Sequence, residues 1–136
     1  MVQRILVTAG ASGIGSEIVW AFTANGAKVF VCDIDAKALD ALAKELPDVK
    51  SSLCDISNRQ DIERMVPFAG EALGGLDVLV NNAGISGPTA PVEKMDPDEW
   101  EKVMQVDLTG TFNVTRVCTE NLNPDVMVMK PAKDRA

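Results

Sequence analysis

Short apolar runs rich in β-branched residues alternate with amphipathic helical patterns along most of this 136-residue chain. The runs predict strands at 5–7, 29–32, 49–54 and 76–80, and between them apolar residues recur at the spacing of a helix face. The last run is apolar enough to be buried on both faces, as a central strand of a parallel sheet would be. This alternation is typical of βαβ units, so the chain is predicted to be an α/β protein built on a parallel sheet.

Turn and capping residues mark the ends of the predicted helices. Asn25-Gly26 and Pro47 end the first two helices. Ser57, with Gln60 three residues later, predicts the N-cap of the third helix. Pro67 predicts a kink or break in that helix, because a proline there removes a backbone hydrogen bond at a cost of about 3 kcal/mol.

The second half of the chain carries weaker patterns. Asp96 and Pro97 predict the start of a fourth helix, and a further helical pattern runs from about residue 108 to 122. Beyond it, residues 125–129 have the pattern of one more short strand, and residues 130–136 are expected to fray.

The amino-acid composition limits which catalytic sites, metal sites and partners the chain can have. The chain has no histidine and no tyrosine, which excludes His-activated nucleophiles, His-ligated metal sites and a phenolic acid or base. Its net charge of −7 argues against nucleic acid or an anionic membrane surface as a partner. Three widely spaced cysteines without a CxxC pair, and no apolar run long enough for a signal peptide or membrane span, predict a reduced, cytoplasmic location. Cys32 and Cys54 are interpreted as buried small residues in adjacent strands, with a reversible disulfide as the alternative.

The most informative segment is the glycine-rich turn between the first strand and the first helix. Its glycines allow backbone amides at the helix N-terminus to approach a pyrophosphate closely. A tight turn without a ligand is the alternative if the turn is taken alone. Asp33, about 20 residues further on at the end of the second strand, can hydrogen-bond ribose hydroxyls, and the two features together favour dinucleotide binding. The candidate binding residues of the turn are Gly10, Ser12, Gly13, Ile14 and Gly15.

Asp33 also favours NAD over NADP. A carboxylate and a ribose phosphate about 4 Å apart repel each other by up to about 4 kcal/mol at a near-surface dielectric. The sequence places no arginine next to Asp33 that would offset this repulsion. The alternative is that Asp33 only ends a strand.

Five segments in this order and spacing resemble the short-chain dehydrogenase/reductase family, from residue 1 to about residue 122. They are the turn at 8–15, Asp33, Asp55-Ile56, Asn81-Asn82-Ala83-Gly84, and the stretch 106–112. The resemblance implies a Rossmann-like, doubly wound parallel sheet with strand order 3-2-1-4. It also implies an oxidoreductase that binds NAD and transfers a hydride between the nicotinamide and an alcohol or carbonyl substrate.

The resemblance further implies which residues hold the cofactor. The glycine turn would wrap the pyrophosphate, Asp33 would hold the adenosine ribose, and the pair after the third strand would flank the adenine. The segment after the fourth strand would pack against the cofactor, and Val106 would lie near the nicotinamide half. The residues assigned in this way are Gly10, Ser12, Gly13, Ile14, Gly15, Asp33, Asp55, Ile56, Asn82, Ala83, Gly84 and Val106.

Three departures from the family pattern limit what can be carried over. Ala9 stands where the family's first glycine usually lies, and Asp107 occupies the place of its catalytic asparagine. The family's catalytic serine and its Tyr-x-x-x-Lys motif have no counterpart in the chain. No catalytic residue and no metal ligand is therefore assigned, and little or no turnover is expected. We expect an incomplete dinucleotide-binding domain at 1–122, followed by an atypical tail at 123–136.

Two alternatives remain for the function. One is a non-enzymatic, NAD-responsive module that self-associates or pairs with a full-length relative, and the other is an incomplete product without an independent role. A shortened fold would leave the fourth strand at an edge with unpaired amides. Either the strand at 125–129 or a second chain would cover that edge.

Overall fold

The computed structural model describes residues 1–131 and contains one sheet of five parallel strands. Their order is β3-β2-β1-β4-β5, which confirms the α/β class and the predicted order of the first four strands. The three central residues of β1 pair with both neighbouring strands, for example Val7 with Val31 of β2 and Val80 of β4. The strands are β1 Arg4–Thr8, β2 Lys28–Asp33, β3 Lys50–Leu53, β4 Val78–Val80 and β5 Met127–Met129.

Helices cover both faces of the sheet. Alternate residues of a strand point to opposite faces, and the buried residues accordingly form two clusters. Leu6 and Leu79 pack with α3 and α5 in one cluster, whereas Val7 and Val80 pack with α1 and α2 in the other. The helices are α1 Gly13–Ala24, α2 Ala36–Glu45, α3 Arg59–Leu73, α4 Pro97–Met104 and α5 Thr111–Asn121, with a 3₁₀ turn at Val92–Lys94 and a π-helical turn at Gln105–Gly110. No helix in the described part of the chain is long and apolar enough to cross a membrane.

The predicted N-cap of α3 is wrong, and so is a break at Pro67, one of the two outcomes predicted there. Its N-cap is Asn58, whose side chain accepts a hydrogen bond from the Asp61 amide at 3.2 Å, whereas the Ser57 hydroxyl donates to Asp55 at 2.7 Å. Pro67 does not break the helix. The proline lies on the exposed face, where water can satisfy the carbonyl that it frees, and buried residues on both sides of it anchor the helix to the sheet.

The predicted fourth helix and the helical pattern after it form one continuous helical segment. Asp96 caps its start by accepting from the Asp98 amide at 2.9 Å, and Pro97 is its first residue, as predicted. The π-helical turn joins α4 directly to α5. Leu108 therefore lies inside the junction, and α5 begins three residues later than the pattern indicated.

The strand predicted near the C-terminus is present and pairs in parallel with β4. Two hydrogen bonds fix its ends: the Met127 amide donates to the Asp77 carbonyl at 3.0 Å, and the Asn81 amide donates to the Met129 carbonyl at 2.8 Å. In the described residues, the edge of β4 is thus covered by this chain's own fifth strand. The predicted fraying of 130–136 falls mostly on residues 132–136, which lie outside the described residues.

Candidate functional site

The loops that follow β1, β2, β3 and β4 meet at the carboxyl edge of the sheet, where ligands of doubly wound folds bind. Two residues in left-handed conformations flank the first loop, Ala9 at φ 52° after β1 and Gly13 at φ 57° as the first residue of α1. The loop leads into α1, whose N-cap is Ser12 in an extended conformation. Among the described residues, no side chain caps this helix end. Its first amides therefore have no side-chain acceptor, as an anion-binding helix terminus requires.

Gly15 brings the start of α1 against the ends of β1 and β4. A Cβ atom at this position would lie 2.9 Å from the Ala9 carbonyl carbon and 2.5 Å from Nδ2 of Asn82. That Nδ2 donates to the Ala9 carbonyl oxygen at 3.0 Å. The Thr8 hydroxyl completes the junction by accepting from the amides of Asn82 and Ala83, both at 3.0 Å. The glycine turn and the segment after β4 are therefore held together as one unit.

Asp33 supports the same turn from the other side. Its side chain is only 8% exposed. Oδ2 accepts from the Ala11 amide at 3.1 Å, and Oδ1 accepts from the Asp35 amide at 3.0 Å. Because a carboxylate has about four acceptor positions, both oxygens can still accept from a ligand hydroxyl.

Two cavities open at this edge. The first, of about 370 Å³, lies at the ends of β2 and β3 and is called the β2–β3 cavity here. A second one, of about 210 Å³, lies above the end of β4 and shares a wall with the first. The shared wall consists of Ala83, Gly84 and Ile85. The β2–β3 cavity is lined by Ala9, Cys32, Asp33, Ile34, Cys54, Asp55, Ile56, Ser57, Ala83, Gly84, Ile85, Lys102, Gln105 and Val106.

Eight of the twelve residues predicted from the sequence line these two cavities. Six line the β2–β3 cavity: Asp33, Asp55, Ile56, Ala83, Gly84 and Val106. The second cavity adds Ile14 and Asn82. The other four belong to the glycine turn. Ser12 and Gly13 are exposed on it, and Gly15 lies at the helix–strand contact described above. Gly10 packs against β2, because a Cβ there would lie 2.9 Å from Cγ1 of Val31.

The helical segment from α4 to α5 forms one side of both cavities. Nε2 of Gln105 donates to the Ser57 carbonyl at 3.1 Å and so joins the π-helical turn to the loop after β3. Oδ1 of Asp107 accepts from the Ile85 amide at 2.7 Å and fixes the shared wall. Isolated π turns occur frequently at functional sites. Here the turn directs Gln105, Val106 and Asp107 toward the loops after β3 and β4.

Sequence reasoning did not assign to the site five residues in the wall of the β2–β3 cavity that carry polar or nucleophilic groups: Cys32, Cys54, Ser57, Lys102 and Gln105. Lys102 precedes Val106 by four residues, so helical spacing could have placed it on the same face. It is the one basic side chain among the described residues that line this cavity. The part of the chain that the structure describes holds no cluster of three or more residues suited to a metal ion.

Comparison with known proteins agrees with this geometry. The sequence profile of the short chain dehydrogenase family matches residues 3–127. A 3beta-hydroxysteroid dehydrogenase 2 of Eggerthella lenta is 42% identical over 118 residues, which cover 84% of this chain and 45% of that protein. An L-fucose dehydrogenase of Bos taurus is 34% identical over 118 residues, covering 87% of this chain and 44% of the relative.

Solved structures show the same relationship. A variant of actinorhodin polyketide ketoreductase with NADPH has a TM-score of 0.84 and 35% identity, with 88% of this chain and 47% of the other covered. The 3-ketoacyl-(acyl-carrier-protein) reductase of Brucella melitensis, complexed with NADH, has a TM-score of 0.80 and 31% identity, with 84% and 47% covered. The chain thus spans about half the length of the proteins it matches.

Proposed function

The chain belongs to the short-chain dehydrogenase family, and from that premise we propose that residues 1–122 are the nicotinamide-dinucleotide-binding unit of an oxidoreductase. The observation that carries the proposal is the convergence of the glycine turn, the carboxylate of Asp33 and the β2–β3 cavity at one edge of the sheet. The reaction of the complete protein would be hydride transfer between the nicotinamide and an alcohol or carbonyl group.

The residues at this edge fit such a cofactor. A Cβ at Gly13 would meet no atom within 4 Å, so there is open space directly beside the uncapped start of α1. Two phosphates can accept hydrogen bonds from its free amides, where the helix dipole favours negative charge. Asp33 retains acceptor positions for ribose hydroxyls, and the apolar side chains of Ile34 and Ile56 line the adjacent cavity. A bound nicotinamide would donate or accept the hydride.

We assign the binding roles from these positions. The turn would hold the pyrophosphate through Ser12, Gly13 and Ile14, with Gly10 and Gly15 permitting the close packing that shapes it. Asp33 would hold the adenosine ribose. The remaining assigned residues, which would line the adenine and nicotinamide ends, are Asp55, Ile56, Asn82, Ala83, Gly84 and Val106.

We propose NAD rather than NADP as the cofactor. Asp33 is buried and held by two backbone amides, so it cannot turn away from an added phosphate. The resulting repulsion is up to about 4 kcal/mol at 4 Å. Lys102 lies in the wall of the same cavity and reduces this penalty, but Asp55 adds a second negative charge there. The chain should therefore still prefer NAD to NADP.

The 136-residue polypeptide itself should bind the cofactor without reducing carbonyl compounds. Proton delivery to the developing alkoxide requires a positioned acid, and this sequence contains neither a tyrosine nor a histidine. Asp107 directs one oxygen to the Ile85 amide, so it serves as a hydrogen-bond acceptor in the cavity wall.

Isothermal titration calorimetry of the folded 136-residue chain with NADH and NADPH tests the proposal. We expect NADH to bind at least about tenfold more tightly, which corresponds to about 1.4 kcal/mol. Asp33→Asn should reduce this ratio, because it removes the charge that repels the phosphate. Asp40→Asn makes the same charge change at an exposed position of α2 and should leave the ratio unchanged. Equal affinity for the two cofactors, or no binding of either by a folded sample, would refute the proposal.

A further inference from the structure

Two of the three cysteines lie side by side in the wall of the β2–β3 cavity. Cys32 is the penultimate residue of β2 and pairs in register with Ser52 of β3, and Cys54 follows the end of β3 on the same face. The Cys54 amide donates to the Asp33 carbonyl at 2.9 Å, which holds Cys54 beside the end of β2. Both thiols are enclosed by protein except where they border the cavity, with 0% and 1% exposure.

The two thiols have different acidities. Hydrogen bonding between the two neighbouring thiols raises the pKa of Cys32 and lowers the pKa of Cys54. Desolvation and the carboxylates of Asp61 and Asp55 oppose the effect on Cys54, whereas Arg64 supports it. Because the thiolate is the reactive form of cysteine, the lowered pKa makes Cys54 the nucleophile of the pair.

The third cysteine provides an internal reference. Cys118 is buried in α5 and does not line the β2–β3 cavity. Burial raises its pKa to about 12. It has neither a route to solvent through this cavity nor a thiol partner, so it should be inert under conditions in which Cys54 reacts.

We propose that Cys54 is a thiol-modification site in the dinucleotide pocket, where low-molecular-weight disulfides form a mixed disulfide that excludes the cofactor. The inference rests on the proposed function, because it makes the cofactor and the modifying group competitors for one cavity of about 370 Å³. Cys32 acts as a positioning residue, since it supports the reactive thiolate without reacting itself.

The reaction is a thiol–disulfide exchange. The Cys54 thiolate attacks one sulfur of the small disulfide, a new sulfur–sulfur bond forms, and the original one breaks. The second half leaves as a thiolate and takes a proton from water. The group left on Cys54 occupies the space beside Asp33 and Ile56 that we assign to the adenosine half of the cofactor. A free thiol reverses the exchange and reopens the cavity.

The test uses dithiodipyridine, an aromatic disulfide whose released thione is coloured, on the folded 136-residue chain. Cys54 should react at least about tenfold faster than Cys118, in line with the effect of thiolate content and access on thiol reactivity. Peptide mapping by mass spectrometry identifies the modified residue in the unmutated protein. Cys54→Ala should remove the fast phase, whereas Cys118→Ala should keep it.

Two further comparisons examine the partner thiol and the competition. Cys32→Ala should slow the reaction of Cys54, and Cys32→Ser should restore it, because a hydroxyl can also donate to the thiolate. Saturating NADH should slow the fast phase at least about tenfold, and the modified protein should bind NADH correspondingly more weakly in calorimetry until a free thiol is added.

The outcomes separate this inference from the proposed function. If NADH binds but leaves the Cys54 rate unchanged, the competition is wrong while the proposed function stands. If Cys118 reacts as fast as Cys54, or the fast phase persists in Cys54→Ala, the site is wrong. If calorimetry detects no NADH binding to the unmodified folded chain, the proposed function fails, and the competition fails with it.

Discussion

Replacing Gly15 by alanine should destabilise the protein and disable the candidate binding edge. The added Cβ would lie 2.5 Å from Nδ2 of Asn82 and 2.9 Å from the Ala9 carbonyl carbon. The Ala9 carbonyl is part of the backbone, and the Asn82 side chain is held by its hydrogen bond to that carbonyl. Neither can yield easily, so the start of α1 must move away from the sheet. Overpacking of this kind costs about 1–3 kcal/mol, and loss of the Asn82–Ala9 hydrogen bond adds about 1 kcal/mol.

The expected destabilisation is therefore about 2–4 kcal/mol in total. At roughly 4 °C per kcal/mol for a domain of this size, the melting temperature should fall by about 8–16 °C. Circular dichroism measures the transition, and calorimetry at low temperature should show that the folded variant has lost affinity for NADH.

Gly26→Ala is the matched control for Gly15→Ala. Gly26 has φ 83°, and a Cβ there would meet no atom within 4 Å. It lies just after α1, at the opposite end of the helix from the turn. Its replacement should cost only the backbone strain of about 1 kcal/mol and should leave NADH binding intact. The packing argument is refuted if Gly15→Ala is no more destabilising than this control.

Two other substitutions test the backbone and electrostatic arguments. Ala9→Gly should stabilise the protein by up to about 1 kcal/mol, because it relieves the left-handed strain at φ 52°. Urea denaturation should then show a higher midpoint. The control Ala11→Gly has no such strain to relieve and should lower the midpoint. Hydrogen bonds from Arg4 hold the pKa of Asp77 below its ordinary value of 3.8, so the pair contributes stability above that pH and loses it progressively below. The stability difference between wild type and Asp77→Asn should therefore shrink as pH falls below 3.8, and a constant difference across that range would contradict the assignment.

The central strands could be predicted because burial on both faces leaves a continuous apolar signature in a parallel sheet, whereas the strand order followed from the family resemblance. β4 is the clearest case, since its three residues are all buried between helices. The errors in α3 have a different origin. The choice between Ser57 and Asn58 as cap depended on Asp55 occupying the Ser57 hydroxyl, and Pro67 was tolerated because its neighbours are anchored in the core. The first is a local competition for the Ser57 hydroxyl and the second is a tertiary effect, and residue propensity contains neither.

The candidate site likewise contains residues that could be predicted from the sequence and residues that could not. The turn and Asp33 follow from local spacing, because a glycine turn and a strand end are both local features. The thiol pair and Lys102 could not be assigned to the site from their own segments. Cys32 and Cys54 face one cavity only because β2 and β3 are neighbours with a particular register. Lys102 joins them because the π-helical turn brings the helical segment over the loop after β3, where Gln105 contacts Ser57.

Asp107 shows how a departure from the family pattern can preserve one role and lose another. The family resemblance implies an asparagine here, and the structure shows that the side chain fixes the cavity wall by accepting from the Ile85 amide at 2.7 Å. That contact requires only an acceptor oxygen, which aspartate and asparagine both provide. The wall is therefore compatible with either residue. Donation to a ligand or a water is different, because the asparagine amide has two N–H donors that a carboxylate lacks. The substitution thus leaves the shape of the binding edge intact while removing a hydrogen-bond donor from the smaller cavity, which Asp107 also lines.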